Sequence, residues 1–219
     1  MVPSVTLILL SAGSSSRFEK QVKKQWLRIG DTPLWQAVVD RLSDTFLFSS
    51  TVITAHSDDI AYMKRFGEYN VVLGGEDRQA SIANALVHVK SDYVLITDVA
   101  RACISDLLIT KLLDPIRNDT TIDAVVPYLH VNDTVLLGED QIDRSLVKRI
   151  QTPQLSRTSL LKSHINDTIR YTDESTLMRA NDANVLYIEG GVDAEKITFE
   201  ADLKKLSCLK APVSHQFVG

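Results

Sequence analysis

The chain has 219 residues, a formal net charge of −4 and 44% hydrophobic residues. That length suits one large α/β domain or a domain with a small appendage, and the apolar share can bury a core without staples. The acidic balance speaks against general nucleic-acid binding, no stretch reaches the ~18–20 apolar residues of a membrane span, and two cysteines, Cys103 and Cys208, imply no disulfide framework.

Residues 4–10 form an apolar run, the pattern of a buried strand, which empties into Ser11-Ala12-Gly13-Ser14-Ser15-Ser16. Small side chains let backbone N–H groups approach a polyanion, and Arg17 and Lys24 would neutralise charge spread over phosphoryl oxygens. The segment is no Walker A loop, because G-K-[ST] is missing, and no dinucleotide fingerprint, because Gly13 stands alone. A nucleoside triphosphate suits these features. A plain small-residue connector is the other reading.

Leu34, Trp35, Val38, Val39 and Leu42 then recur at helical spacing, and strands are expected at 51–54 and 70–73. Gly74-Gly75-Glu76-Asp77-Arg78-Gln79-Ala80-Ser81 leads into a helix carrying Ile82, Ala83, Ala85, Leu86 and Val89. The glycine pair allows backbone approach to a flat base or unusual φ values, and Arg78 and Ser81 lie one turn apart at a helix start, where anions are favoured. A turn with a helix cap explains the same residues. The strand at 92–97 runs into Thr97-Asp98-Val99-Ala100-Arg101. A carboxylate at a strand end is placed to hold Mg²⁺ against phosphate oxygens, and Arg101 would pair with Asp98 or meet substrate. A structural Asp98–Arg101 pair competes with that reading, and the second carboxylate of a D-x-D metal site is missing.

Further strands are expected at 122–127 and 184–188, and helices at 105–117, 156–166 and 173–181. Segment 128–150 is polar, strand-like around Thr134-Val135-Leu136-Leu137, and too long for an ordinary loop. It reads as a protruding β-arm, either a dimer contact or a surface excursion. From Ser207 the periodicity is lost, giving a domain over 1–206 and a tail or linker over 207–219. The alternation specifies an α/β fold, a Rossmann-like mostly parallel sheet flanked by helices. Ligands of such sheets bind beyond the carboxyl ends of the strands, where the three motifs fall. Cys103 reads as packing, and histidines 56, 88, 130, 164 and 215 show no metal-ligand spacing. A reducing cytoplasm fits the cysteine content.

Taken in order, SAGSSSRF, KKQ, GGEDRQAS, TDVAR, NDT, DR, QTPQ, TDES and EKITF resemble the 2-C-methyl-D-erythritol 4-phosphate cytidylyltransferase family over about residues 4–206. The resemblance implies a nucleotidyltransferase fold using CTP and a divalent cation, Mg²⁺, bound with it near Asp98. It implies that Ser11, Ala12 and Gly13 meet CTP through the backbone, with Gly75, Glu76 and Ser81 around the base and ribose and Arg78 also binding CTP. Arg17 and Lys24 would grip the triphosphate. Arg144 and Lys196 would hold the phosphate of a small sugar-alcohol phosphate, with Arg101, Thr134, Thr152 and Thr172 in that second pocket. The arm would cross to a partner, making a homodimer. The chain departs from the family pattern at Lys23, Thr97 and Ala102, and none of these removes an assigned charge. The tail HQFVG resembles a junction into a cyclodiphosphate synthase domain, so the expectation is the first half of a bifunctional protein. A ribitol 5-phosphate cytidylyltransferase and a catalytically silent nucleotide-binding domain are the alternatives.

Overall fold

A computed structural model describes residues 2–15, 18, 22–165 and 169–209. In chain order, β1 (Val5–Leu10) is followed by a short hairpin of β2 (Arg28–Ile29) and β3 (Thr32–Pro33), then α1 (Leu34–Thr45), β4 (Ser50–Ala55), α2 (Ser57–Met63) and β5 (Asn70–Leu73). Next come α3 (Arg78–Leu86), β6 (Tyr93–Asp98), α4 (Asp106–Asn118) and β7 (Ala124–His130). A projecting hairpin of β8 (Val135–Leu137) and β9 (Asp140–Ile142) follows, and β10 (Lys148–Ile150) rejoins the main sheet. The chain returns through β11 (Gln154–Arg157), α5 (Thr158–His164), α6 (Glu174–Ala180) and β12 (Val185–Glu189).

The main sheet has the order β10-β7-β11-β6-β1-β4-β5, and β12 also pairs with β7. Strands β5, β4, β1 and β6 run parallel, as does β12 beside β7, while β10 and β11 are antiparallel to their neighbours. This is the Rossmann-like, mostly parallel sheet that the alternating pattern specifies. The chain moves outward from β1 to β4 and β5, then crosses back to place β6 on the other side of β1. Connections therefore diverge between β1 and β6, and their carboxyl ends, Leu10 opposite Asp98, border a crevice.

Both faces of the sheet are covered, which is why β1 is buried at every residue. Leu7 and Leu9 join Trp35, Leu42 and Leu112 on one face, and Ile8 and Leu10 join Ile82, Leu86 and Leu177 on the other. None of the helices among the described residues is long and apolar enough to cross a membrane.

Four features depart from the sequence reading. The helix expected over 156–166 begins at Thr158, because 154–157 is strand β11. Its polar Gln154 and Ser156 are buried, and Gln154 Oε1 accepts the Ser175 N–H at 3.0 Å. A strand buried through hydrogen-bonded polar side chains leaves no apolar alternation to read. Neither α2 nor the β2–β3 hairpin carries a pattern long enough to stand out. Cys103 and Cys208 form a disulfide with Cα atoms 5.6 Å apart, where packing and free thiols are the sequence expectation. A 3₁₀ helix over Glu200–Leu209 brings them together across a separation of 105 residues, too far for any spacing signal. That helix also takes in 207–209 of the expected tail, and 210–219 lie outside the described residues.

The arm is as expected in kind but shorter than 128–150, because 128–130 and 148–150 pair with each other in the main sheet. β8 and β9 form their own hairpin, with Leu137 opposite Asp140 and Gly138 at φ +66 in the turn. Leu136, Leu137 and Leu146 are 59%, 72% and 79% exposed.

Candidate active site

A cleft of about 560 Å³ opens at the carboxyl ends of β1, β4 and β6. Ser11 leaves β1 with its hydroxyl donating to the Thr54 carbonyl at 2.5 Å, so its side chain anchors the loop on β4. Ala12 and Gly13 follow along the cleft wall, and a Cβ on Gly13 would meet nothing within 4 Å. Ser15, at φ 58, turns the chain, and its hydroxyl accepts the Lys24 N–H at 3.0 Å. A non-glycine residue there costs about 1–2 kcal/mol, which ties a strained turn to this loop. Arg17 lies outside the described residues.

Lys24 opens a 3₁₀ turn over Lys24–Trp26, and α2 fixes which way that turn faces. Asp59 accepts from Trp26 Nε1 at 3.0 Å and pairs with Lys23 Nζ at 3.0 Å. Of the two adjacent ammonium groups, Lys23 is thereby held on α2. Lys24 points into the cleft at 8% exposure, its Nζ donating to the Ile197 carbonyl at 3.1 Å. His56, assigned no role from spacing, lines the cleft and caps α2 by accepting the Asp58 N–H at 3.3 Å. Gln25 also lines it.

The opposite wall is the loop from β5 into α3. The glycine pair is there for close approach, since neither residue takes a positive φ. A Cβ on Gly74 would lie 2.3 Å from Ala12 Cβ, and one on Gly75 would lie 2.4 Å from Ala80 Cβ. Asp77 caps α3 by accepting the Ala80 N–H at 2.7 Å, and Ser81 Oγ accepts the Gly75 N–H at 2.9 Å. Gly75, the exposed Glu76, Arg78 and Ser81 all line the cleft.

Charge concentrates at the floor. Asp98 Oδ1 faces Arg78 Nε at 3.4 Å, and its Oδ2 accepts from Lys196 Nζ at 2.7 Å. Arg78 also bonds through Nη1 to Oε1 of Glu174, a carboxylate whose side chain is wholly buried. Burial would raise the Asp98 carboxyl, yet Arg78, Lys196 and Arg101 together hold it below the usual range. Glu174 behaves oppositely: burial pushes its carboxyl up and Arg78 offsets only part. Burial works against the Arg78 charge too, but Glu174 and Asp98 outweigh it and raise its pKa. Burial, with Arg78 and Arg149 nearby, lowers Arg101.

Arg101 donates through Nη1 to the Ala194 carbonyl at 2.5 Å, so the hydrogen-bonded partners of Asp98 are Arg78 and Lys196. The Ile197 N–H on the Ala100 carbonyl at 2.8 Å zips 194–197 along 98–101, which is how Lys196 comes to the same floor as Lys24. The cleft lining includes neither Thr152 nor Thr172. Thr152 is buried with Oγ1 unpartnered, and Thr172 is exposed just before α6. Thr134 and Arg144 line a separate hollow in the arm, where Arg144 donates to the Asn132 carbonyl. Glu174 carried no signal as a partner of Arg78: 96 residues separate them.

The sequence profile of the family "IspD: 2-C-methyl-D-erythritol 4-phosphate cytidylyltransferase" matches residues 5–209. A bifunctional enzyme IspD/IspF of Sulfurimonas denitrificans is 49% identical over 216 residues, 99% of this chain and 55% of that protein. Its counterpart in Aliarcobacter butzleri is 47% identical over 216 residues, 98% of this chain and 57% of that protein. The solved structure of bifunctional IspDF from Campylobacter jejuni superposes with a TM-score of 0.87 at 39% identity, covering 93% of this chain and 54% of that one. The chain thus spans a little over half the length of these relatives.

Proposed function

The chain belongs to the 2-C-methyl-D-erythritol 4-phosphate cytidylyltransferase family, and from that premise we propose that it transfers CMP from CTP to 2-C-methyl-D-erythritol 4-phosphate, releasing pyrophosphate. One observation carries the reading: Lys24 and Lys196, 172 positions apart in sequence (196 − 24), line one cleft walled by the open Gly13 backbone and the Gly74-Gly75 loop.

In this reading a substrate phosphate oxygen attacks the α-phosphorus of CTP, and pyrophosphate leaves opposite it. The nucleophile is already anionic, so the residues' task is positioning and charge stabilisation rather than proton abstraction. Lys24, with Arg17 by family resemblance, lies over the triphosphate, and the Ala12–Gly13 backbone faces it. Lys196 draws the incoming phosphate toward the floor. Asp98 is the carboxylate that would hold a divalent cation, giving up part of its pairing with Arg78 or Lys196 to do so, with the remaining ligands brought by nucleotide phosphates, the habit of Mg²⁺. When bound it would supply neutralisation of triphosphate charge.

Arg144 and Thr134 lie on the arm, apart from the cleft of their own chain. The exposed Leu136, Leu137 and Leu146 support a homodimer in which each arm carries these residues to the partner's cleft. The names of the relatives support placing this chain as the cytidylyltransferase portion of a bifunctional protein. The test is pyrophosphate release, pairing CTP, ATP or UTP with methylerythritol phosphate or ribitol 5-phosphate. Release is expected with CTP and methylerythritol phosphate. Equal release with ribitol 5-phosphate, or CTP binding without release, would overturn the proposal.

A further inference from the structure

Glu174 is 2% exposed, yet it carries a carboxylate, and a buried carboxylate is costly unless it is paired. Its Oε1 accepts from Arg78 Nη1, and Oε2 has no hydrogen-bond partner. Only one oxygen is satisfied, so stability alone is a poor account of why a carboxylate sits here. Its effect on Arg78 is a better one.

Arg78 is the first residue of α3 and reaches across the cleft floor. Its fork has two anions within reach. Glu174 takes the Nη1 corner, Nε faces Asp98 Oδ1 at 3.4 Å, and Nη2 stays buried without a hydrogen-bond partner. Asp98 Oδ2 is thereby left to Lys196 at 2.7 Å. Without the Glu174 charge, the guanidinium would be drawn bidentate onto Asp98, the geometry Arg–carboxylate pairs favour, and would compete with Lys196. The four groups alternate in sign and sum to zero, so losing one shifts the others.

We propose that Glu174 is a positioning residue of the nucleotide site, holding Arg78 away from full pairing with Asp98 so that Lys196 keeps its place on the cleft floor. The proposal rests on the cytidylyltransferase reading above. The raised carboxyl of Glu174 accords with a group held by a single cation under heavy burial.

The experiment is a double-mutant cycle on the full chain, reading kcat/KM for CTP with methylerythritol phosphate, alongside thermal unfolding. Glu174→Gln keeps the shape and removes the charge, and kcat/KM is expected to fall about 10–100-fold, the range for groups that orient contacting residues. Added to Arg78→Gln, the same change is expected to cost no more than about twofold, because its route is already gone. Glu174→Asp keeps the charge but shortens the reach, and a similar loss is expected. Wild-type rates in Glu174→Gln or Glu174→Asp, or losses that multiply in the double variant, would overturn the proposal alone. So would failure of both single variants to fold, which would make the role structural. An inactive wild-type protein would overturn the functional reading, and this proposal with it.

Discussion

Lys24 is a cation kept 8% exposed, with its ammonium on the Ile197 carbonyl and its backbone on Ser15. A donor preorganised in this way is worth roughly 3–4 kcal/mol where charge develops, so Lys24→Ala is expected to lower kcat by about 10²–10³-fold in a pyrophosphate-release assay. Turnover near wild type would remove Lys24 from the mechanism. Asp98 gives a pH prediction. Its folded carboxyl lies below the unfolded value of about 3.9, so the stability it contributes is present above that value and is lost as pH falls through the folded one. Asp98→Asn should cost about 1–3 kcal/mol at neutral pH, and the gap to wild type should close as urea unfolding is followed downward from pH 5. A gap constant with pH would contradict this. Glu174, with its raised carboxyl, gains folding stability as pH falls, but it is present in both proteins. The ionic partners were the least legible part of the site. Asp98 could be singled out at a strand end, but Arg78, Lys196 and Glu174 reach it from three distant segments.

The loop after β1 and the loop after β5 meet because Gly74 lacks a side chain. A methyl there would sit 2.3 Å from Ala12 Cβ, so Gly74→Ala must push the two walls apart. CTP affinity measured by calorimetry is expected to drop about 10–100-fold, in line with the cost of misplacing contacts by an ångström. Unchanged affinity would mean that the loops do not jointly form the nucleotide wall. Strands with apolar runs, β1, β4, β5, β6 and β7, were readable, since burial on both faces leaves a continuous apolar pattern. So were α1 and α3, whose apolar stripes face the sheet. β11 was hidden by its buried Gln154 and Ser156, and α2 by its seven residues.

Assembly and covalent closure belong to the whole molecule. Leu137 and Leu146, 72% and 79% exposed on the arm, are the expected dimer contact, so Leu137→Asp with Leu146→Asp should yield monomers by light scattering and lose activity with the cleft intact. An active monomer would refute the shared-site reading. The Cys103–Cys208 bridge links residues 105 positions apart and should contribute about 2–4 kcal/mol, so a reductant, or Cys208→Ser, should lower the unfolding midpoint. Free-thiol counts of two in the native oxidised protein would contradict the bridge. The parallel architecture and the arm were legible from rhythm, whereas the bridge and the convergence of 194–197 on 98–101 depend on the complete fold. The most direct measurement is a crystal structure with CTP bound. The account predicts the triphosphate along Ala12–Gly13 with Lys24 Nζ on its oxygens and the base beside Gly75. CTP bound elsewhere, with Lys24 still turned from it, would contradict the account.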